Sequence, residues 1–119
     1  MRTIDTHHDG HGLNESIAIT ADELGPGGAS HRYELSIAGQ PIGVIQFQKG
    51  PRHEPGSTPG ATEAAIAAVL IDRLQRFQEG PFACRENAIQ LTHLEDVLHW
   101  TRHRADARAR RGVLGKELK

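Results

Sequence analysis

Eight histidines, one cysteine and a cluster of arginines near the C-terminus are the side chains of this 119-residue sequence best suited to chemistry. His99 and His103 stand four positions apart, a spacing that puts both imidazoles on one face of a helix and permits joint metal ligation. Glu95 is the only reasonable carboxylate to complete such a set, and no zinc-type spacing of cysteine and histidine occurs, so no metal is expected. His93 and Asp96 are neighbours on a helix surface, but no nucleophile is paired with them, and no Ser-His-Asp arrangement exists. No glycine-rich loop leads into a helix with a phosphate-binding lysine. Arg102, Arg104, Arg108, Arg110 and Arg111 crowd one helix end, where cations complement the helix dipole, and Gly112 reads as the stop that follows. These residues offer binding chemistry rather than catalysis: the sequence predicts no catalytic residue and no cofactor.

The elements that must position these side chains divide the chain in two. Ten of the 13 glycines and five of the six prolines precede residue 61, so the first half reads as strands and turns and the second as helices. Residues 1–13 hold His7, His8 and His11 with little to bury, and are read as a mobile N-terminal arm. Ser16 to Thr20 reads as a first strand, and Gly25-Pro26-Gly27-Gly28 as a loop. Arg32 to Ile37 alternates with period two, placing Tyr33, Leu35 and Ile37 on one face. Ala38-Gly39-Gln40-Pro41 reads as a hairpin connection to a strand over Ile42 to Gln48, with a bulge near Gly43. The expected fold class is therefore α+β. An N-terminal antiparallel sheet over about residues 14–50 precedes an antiparallel two-helix hairpin over about 59–111, within one domain spanning 14–119.

The first helix begins near Thr58-Pro59 or, with a later cap, at Thr62. Ile66, Val69, Leu70, Leu74 and Phe77 mark its apolar face, which by periodicity alone makes Phe77 a core residue. Gly80-Pro81 ends it, and a second helix from about Pro81 to Arg110 must fold back on the first. At about 28 residues and ~42 Å, the second helix outruns the ~26 Å of the first. Its stripe of Cys84, Ala88, Leu91, Leu94 and Leu98 is expected against the first helix, making Cys84 a packed thiol. A lone cysteine forms no internal disulfide and suits a reducing compartment. Ile89, Val97 and Trp100 lie on a different side, and two apolar sides call for two partners, so a second copy of the chain is expected. The net charge of −1 gives no global attraction to nucleic acid, and no apolar run is long enough to cross a bilayer.

The run from Ile71-Asp72-Arg73-Leu74-Gln75-Arg76-Phe77 through Gly80-Pro81-Phe82-Ala83-Cys84-Arg85-Glu86-Asn87, continuing over Leu91 to Trp100 and ending in Arg104, Arg108 and Arg111-Gly112-Val113-Leu114-Gly115, resembles a known hairpin. It is shared by two phage sponge families: the anti-Thoeris proteins that trap glycocyclic ADP-ribose and the shorter, all-helical anti-CBASS proteins that trap cyclic oligonucleotides. Upstream, Gly27-Gly28-Ala29-Ser30-His31-Arg32-Tyr33-Glu34 and Phe47-Gln48-Lys49-Gly50-Pro51 resemble the sheet of the anti-Thoeris family. The resemblance covers roughly residues 16–115.

It implies a protein of the infected host's cytoplasm that binds a cyclic nucleotide signal without cleaving it, assembled as a homodimer or as a homohexamer built from three dimers. It also implies ligand-binding roles for Arg52, Phe77, Asn87 and Arg104, and suggests Arg108 and Arg111 for a second, cyclic-oligonucleotide site. The loop after Gly50-Pro51 departs from the family's apolar, Asn-Gly-containing pattern, reading Arg52-His53-Glu54-Pro55-Gly56-Ser57-Thr58-Pro59-Gly60. The chemistry is coherent: a cyclic ADP-ribose isomer offers a base to stack, hydroxyls to bond and a pyrophosphate for planar guanidinium forks. Asn87 and Arg104 are 17 positions apart, ~25 Å along a helix axis, so one small ligand touches both only between antiparallel helices of two chains. The competing readings are a cyclic-nucleotide hydrolase, which needs a general base and usually a metal, and a nucleic-acid or protein interaction module using the basic helix end.

Overall fold

The alternation of Arg32 to Ile37 is realised as an inner strand of an antiparallel sheet. The computed structural model describes residues 1–119, which form two compact units, Met1–Ala61 and Thr62–Lys119. The first unit holds β1 (Arg2–Ile4), β2 (Ile17–Ala21), β3 (Arg32–Ile37) and β4 (Gln40–Gln46), in the spatial order β1-β2-β3-β4. The register pairs Ile4 with Ile19, Ile19 with Leu35, Ala21 with Tyr33 and Tyr33 with Ile45, which gathers the branched and aromatic side chains on one face. Tyr33 meets Phe47 edge to face with centroids 5.8 Å apart. The β3–β4 connection turns through Ala38 (φ 49°) and Gly39 (φ 79°), the two left-handed residues that match strand twist. Leu35 pairs with Gly43 but Ser36 with Pro41, so Ile42 is the extra residue of the expected bulge.

The first 13 residues differ from their reading as a mobile arm. Arg2 to Ile4 pairs with Ala21 to Ile19 as the edge strand β1, too short and too weakly patterned to announce itself in sequence. Arg2 also donates to the Ser30 hydroxyl at 2.9 Å, and that hydroxyl donates to the carbonyl of Asp22 at 2.8 Å. Asp22 in turn accepts the backbone N–H groups of His31 (3.0 Å) and Arg32 (3.3 Å), and these bonds hold its carboxyl below its ordinary range.

The His-rich loop itself is gathered by Glu15, whose carboxylate accepts the N–H groups of Asp9, Gly10 (3.0 Å) and Gly12 (2.6 Å). The bonds from Gly10 and Gly12 pull its pKa down from 4.5 to about 2. A carboxyl lowered on folding contributes stability above its unfolded value and loses it as pH falls through the folded one. Acidification from pH 4.5 to 2 should therefore free residues 9–12. The amide resonances of Gly10 and Gly12 should titrate with a midpoint near 2, and a midpoint at the ordinary glutamate value would refute the contact.

Beyond β4 the chain does not simply leave the sheet. Phe47 bridges to Ala61 and Lys49 to Thr58, so the Pro/Gly-rich loop doubles back along the strand it came from. Gln48 fixes the return, donating to the Gly50 carbonyl at 3.1 Å and accepting the Gly60 N–H at 3.2 Å. The strand expected to run to Gln48 accordingly ends at Gln46 as a sheet member.

The second unit is the hairpin of α1 (Glu63–Gln78) and α2 (Arg85–Arg110). Of the two candidate starts for α1 the later holds: the Thr62 hydroxyl accepts the Ala65 N–H at 3.1 Å as an N-cap. Helix α2 begins four residues later than Pro81. Gln78 explains the delay, since its side-chain amide donates to the Cys84 carbonyl (3.0 Å) and accepts the Cys84 N–H (2.9 Å), closing the turn like one rung of a sheet. Cys84 is thereby the exposed residue preceding α2 rather than part of its buried stripe. The inner line runs through Ala64, Ala67, Ile71, Leu74 and Gln78 on α1 and Asn87, Leu91, Leu94, Leu98 and Thr101 on α2. Alternating steps of three and four on both helices are the spacing of a narrow antiparallel seam. Val69, Leu70 and Phe77, expected in the core, fall outside this narrow seam and are exposed, as is Ala88.

Candidate ligand-binding residues

Arg52 lies exposed on the loop that returns to β4, and its Nη2 donates to the Gly60 carbonyl at 3.4 Å. That single long bond leaves most of its donor fork open. The Gly60 backbone passes so close to β4 that a Cβ there would stand 2.4 Å from the Phe47 carbonyl carbon and 2.5 Å from the Gln46 oxygen. The position of Arg52 thus depends on the close approach of Gly60 to β4. Close backbone approach is set by tertiary packing, and a lone glycine among several gives no local sign of it.

Phe77 is on the last turn of α1, 36% exposed, with the Arg73 guanidinium carbon 5.0 Å from its ring centroid. It is a presented aromatic surface and not a core residue. Arg73 was not among the residues singled out from sequence, although the i, i+4 spacing of Arg73 and Phe77 was available as a signal. The neighbouring Arg76 is committed elsewhere, to Asp72 at 3.9 Å and Glu79 at 3.2 Å.

Asn87 opens the α2 side of the seam, half-buried, and donates from Nδ2 to the Phe82 carbonyl at 3.4 Å. Its amide oxygen has no partner within the chain, which leaves an acceptor beside the hairpin turn. Arg104 is exposed three turns beyond His93 and makes no ion pair. A straight α2 places Asn87 and Arg104 ~25 Å apart, about 100° around the axis. Within one hairpin, Phe77 and Asn87 share the turn end, and Arg104 belongs to the other.

The two further arginines have intramolecular partners. Arg108 is 9% exposed and donates from Nη2 to the carbonyls of Val113 (2.9 Å) and Lys116 (2.8 Å), tying the C-terminal tail to α2. Arg111 donates to the Lys119 carbonyl. As placed here, both guanidinium groups hold the chain's own backbone, a use that a basic helix end does not reveal in sequence. His99 and His103 flank Trp100 edge-on, with ring centroids 5.2 and 5.4 Å from it. They build an aromatic face together with the indole, and no group of three or more His, Cys, Asp or Glu side chains is arranged to hold a metal ion. No helix is long and apolar enough to cross a membrane.

Comparison with known proteins matches residues 41–105 to the family model described as Acb2/Tad1, hairpin domain. The matched span includes Arg52, Phe77, Asn87 and Arg104, and leaves Arg108 and Arg111 outside. The chain is also similar to Thoeris anti-defense 1 of Bacillus phage SBSphiJ7. The two are 38% identical over 95 residues, covering 80% of this chain and 66% of that protein, so the chain spans just under two thirds of that relative's length.

Proposed function

The chain belongs to the Acb2/Tad1 hairpin-domain family, and on that premise we propose that it is a phage immune-evasion protein that binds a cyclic ADP-ribose isomer and withholds it, uncleaved, from a bacterial defence system. The observation that carries the reading is the state of Phe77: an aromatic ring presented to solvent at the turn end of the hairpin, the end that also holds Asn87 with its free acceptor. Stacking a base on such a ring contributes about 1–3 kcal/mol. The carboxamide bonds base or ribose, Arg104 binds pyrophosphate oxygens in planar, two-pronged fashion, and Arg52 is a further guanidinium open to phosphate. A group that releases the ligand unchanged needs no general base, and none of these four residues is one.

The site is completed by a second copy. Arg104 reaches a ligand held at Phe77 and Asn87 only from an antiparallel partner helix. The outer side of α2 offers ground for that partner, because Ile89, Val97 and Trp100 remain 39%, 41% and 62% exposed in the single chain. Large apolar side chains left exposed along a helix are ground for association. The homodimer is thus the binding unit, and three such dimers make the hexamer expected of the sponge families. Cyclic oligonucleotides are a further ligand class for that larger assembly, at a site of Arg108 and Arg111 that requires the tail contacts to open.

Calorimetry with 1″–2′ and 1″–3′ glycocyclic ADP-ribose, followed by heat denaturation and chromatography of the released ligand, tests the reading. We expect tight binding of at least one isomer and its recovery intact. Altered product would make the protein an enzyme, and binding of neither isomer would remove cyclic ADP-ribose as the ligand.

A further inference from the structure

Arg73 is a charged group with no counter-charge. Its helical neighbours at three and four positions are Val69, Leu70, Arg76 and Phe77, so no carboxylate lies within reach along α1, and it forms no ion pair. The acids nearest in sequence, Asp72 and Glu79, are both taken by Arg76. The guanidinium instead covers Phe77 at 5.0 Å, on a helix side where Val69 and Leu70 are 66% and 44% exposed. A cation stacked on an aromatic ring uses its flat face there and keeps its N–H edge free. An exposed cation held on a ring, with no counter-charge of its own, is open to an external anion.

We infer that Arg73 is a specificity-determining ligand residue of the hairpin: it fixes the Phe77 ring and turns a general stacking surface into one that selects nucleotides bearing phosphate beside the stacked base. The inference rests on the nucleotide-binding reading above and adds to it a guanidinium that acts from the same helix as the ring. One face of Phe77 takes the base, the other takes Arg73, and the N–H edge of Arg73 meets phosphate oxygens.

The test compares wild type, Arg73→Gln, Arg73→Lys and Phe77→Ala by calorimetry against 1″–2′ glycocyclic ADP-ribose and against adenosine. Each is titrated at low and high salt, with thermal melts to confirm folding. Arg73→Gln should weaken the cyclic nucleotide roughly 10- to 100-fold, as expected for loss of charge-assisted hydrogen bonds, and should flatten its salt dependence. It should leave the feeble binding of adenosine nearly unchanged. Arg73→Lys should recover part of the loss, because it restores charge without the planar fork. Tight wild-type binding that Phe77→Ala abolishes but Arg73→Gln leaves intact would overturn the role of Arg73 while sparing the parent reading. Equal losses for adenosine and the cyclic nucleotide would reduce Arg73 to a prop for the ring. No wild-type binding would remove both.

Discussion

Replacing Gly60 by alanine should unfold the return loop and destabilise the sheet unit by about 3–5 kcal/mol, the largest stability effect expected of any single methyl addition in this chain. The added Cβ would stand 2.4 to 2.5 Å from the backbone of Gln46 and Phe47. Neither backbone yields as a flexible side chain would. The loop must lift, breaking the bonds from Ala61 N–H to Gln46 O (2.8 Å) and from Gln48 N–H to Ala61 O (3.0 Å), and exposing the Gly60 contact with Gln48. Arg52 loses its anchor on the Gly60 carbonyl in the same event, so ligand affinity should fall with stability. Gly43→Ala is the matched control: a Cβ there meets nothing within 4 Å, and its backbone is not left-handed. Chemical denaturation should show a much reduced midpoint for Gly60→Ala and an unfolding free energy within about 0.5 kcal/mol of wild type for Gly43→Ala. Equal midpoints would mean the loop does not hug β4.

Arg104→Ala should leave stability unchanged within about 0.5 kcal/mol yet weaken the cyclic nucleotide by about 100-fold. The side chain is exposed and without an ion pair, so the fold does not depend on it. A bidentate guanidinium–phosphate contact contributes two charge-assisted bonds at about 1.5–3 kcal/mol each, before partial compensation by water. Mixing provides a sharper test of the two-chain site. Arg104→Ala and Asn87→Ala homodimers should each bind poorly. Unfolded together and refolded, they should regain tight binding at about a quarter of sites, because half of random dimers are mixed and each mixed dimer has one intact site. Absence of that recovery would place Asn87 and Arg104 in different sites or on one chain.

The hairpin was legible because its signals are local. Thr62 and Gly80-Pro81 bracket α1 with a cap and a stop, and the long apolar period of α2 needs only its own residues to be seen. The bulge at Ile42 showed as a break in alternation beside Gly43. The choice of seam was not legible. Leu70 and Phe77 are as periodic as Ala67, Ile71 and Leu74, and propensity does not say which line faces α2. In the folded hairpin the line through Ala64, Ala67, Ile71 and Leu74 faces α2, and Phe77 lies outside it, 36% exposed.

Sequence by itself determined the α+β order, the three longer strands, both helices and the presence of Phe77, Asn87, Arg52 and Arg104 in a recognisable pattern, since these depend on residues near one another or on motifs that survive divergence. Tertiary structure decided the rest. It made residues 2–4 a strand by offering the edge of β2, and made Cys84 a turn residue through the amide of Gln78. It bound Arg108 to the tail carbonyls and left Arg73 unpaired on Phe77. Each of these depends on which group arrives from a distance to satisfy a donor, an acceptor or a charge, and the local sequence around the receiving residue holds no record of that arrival.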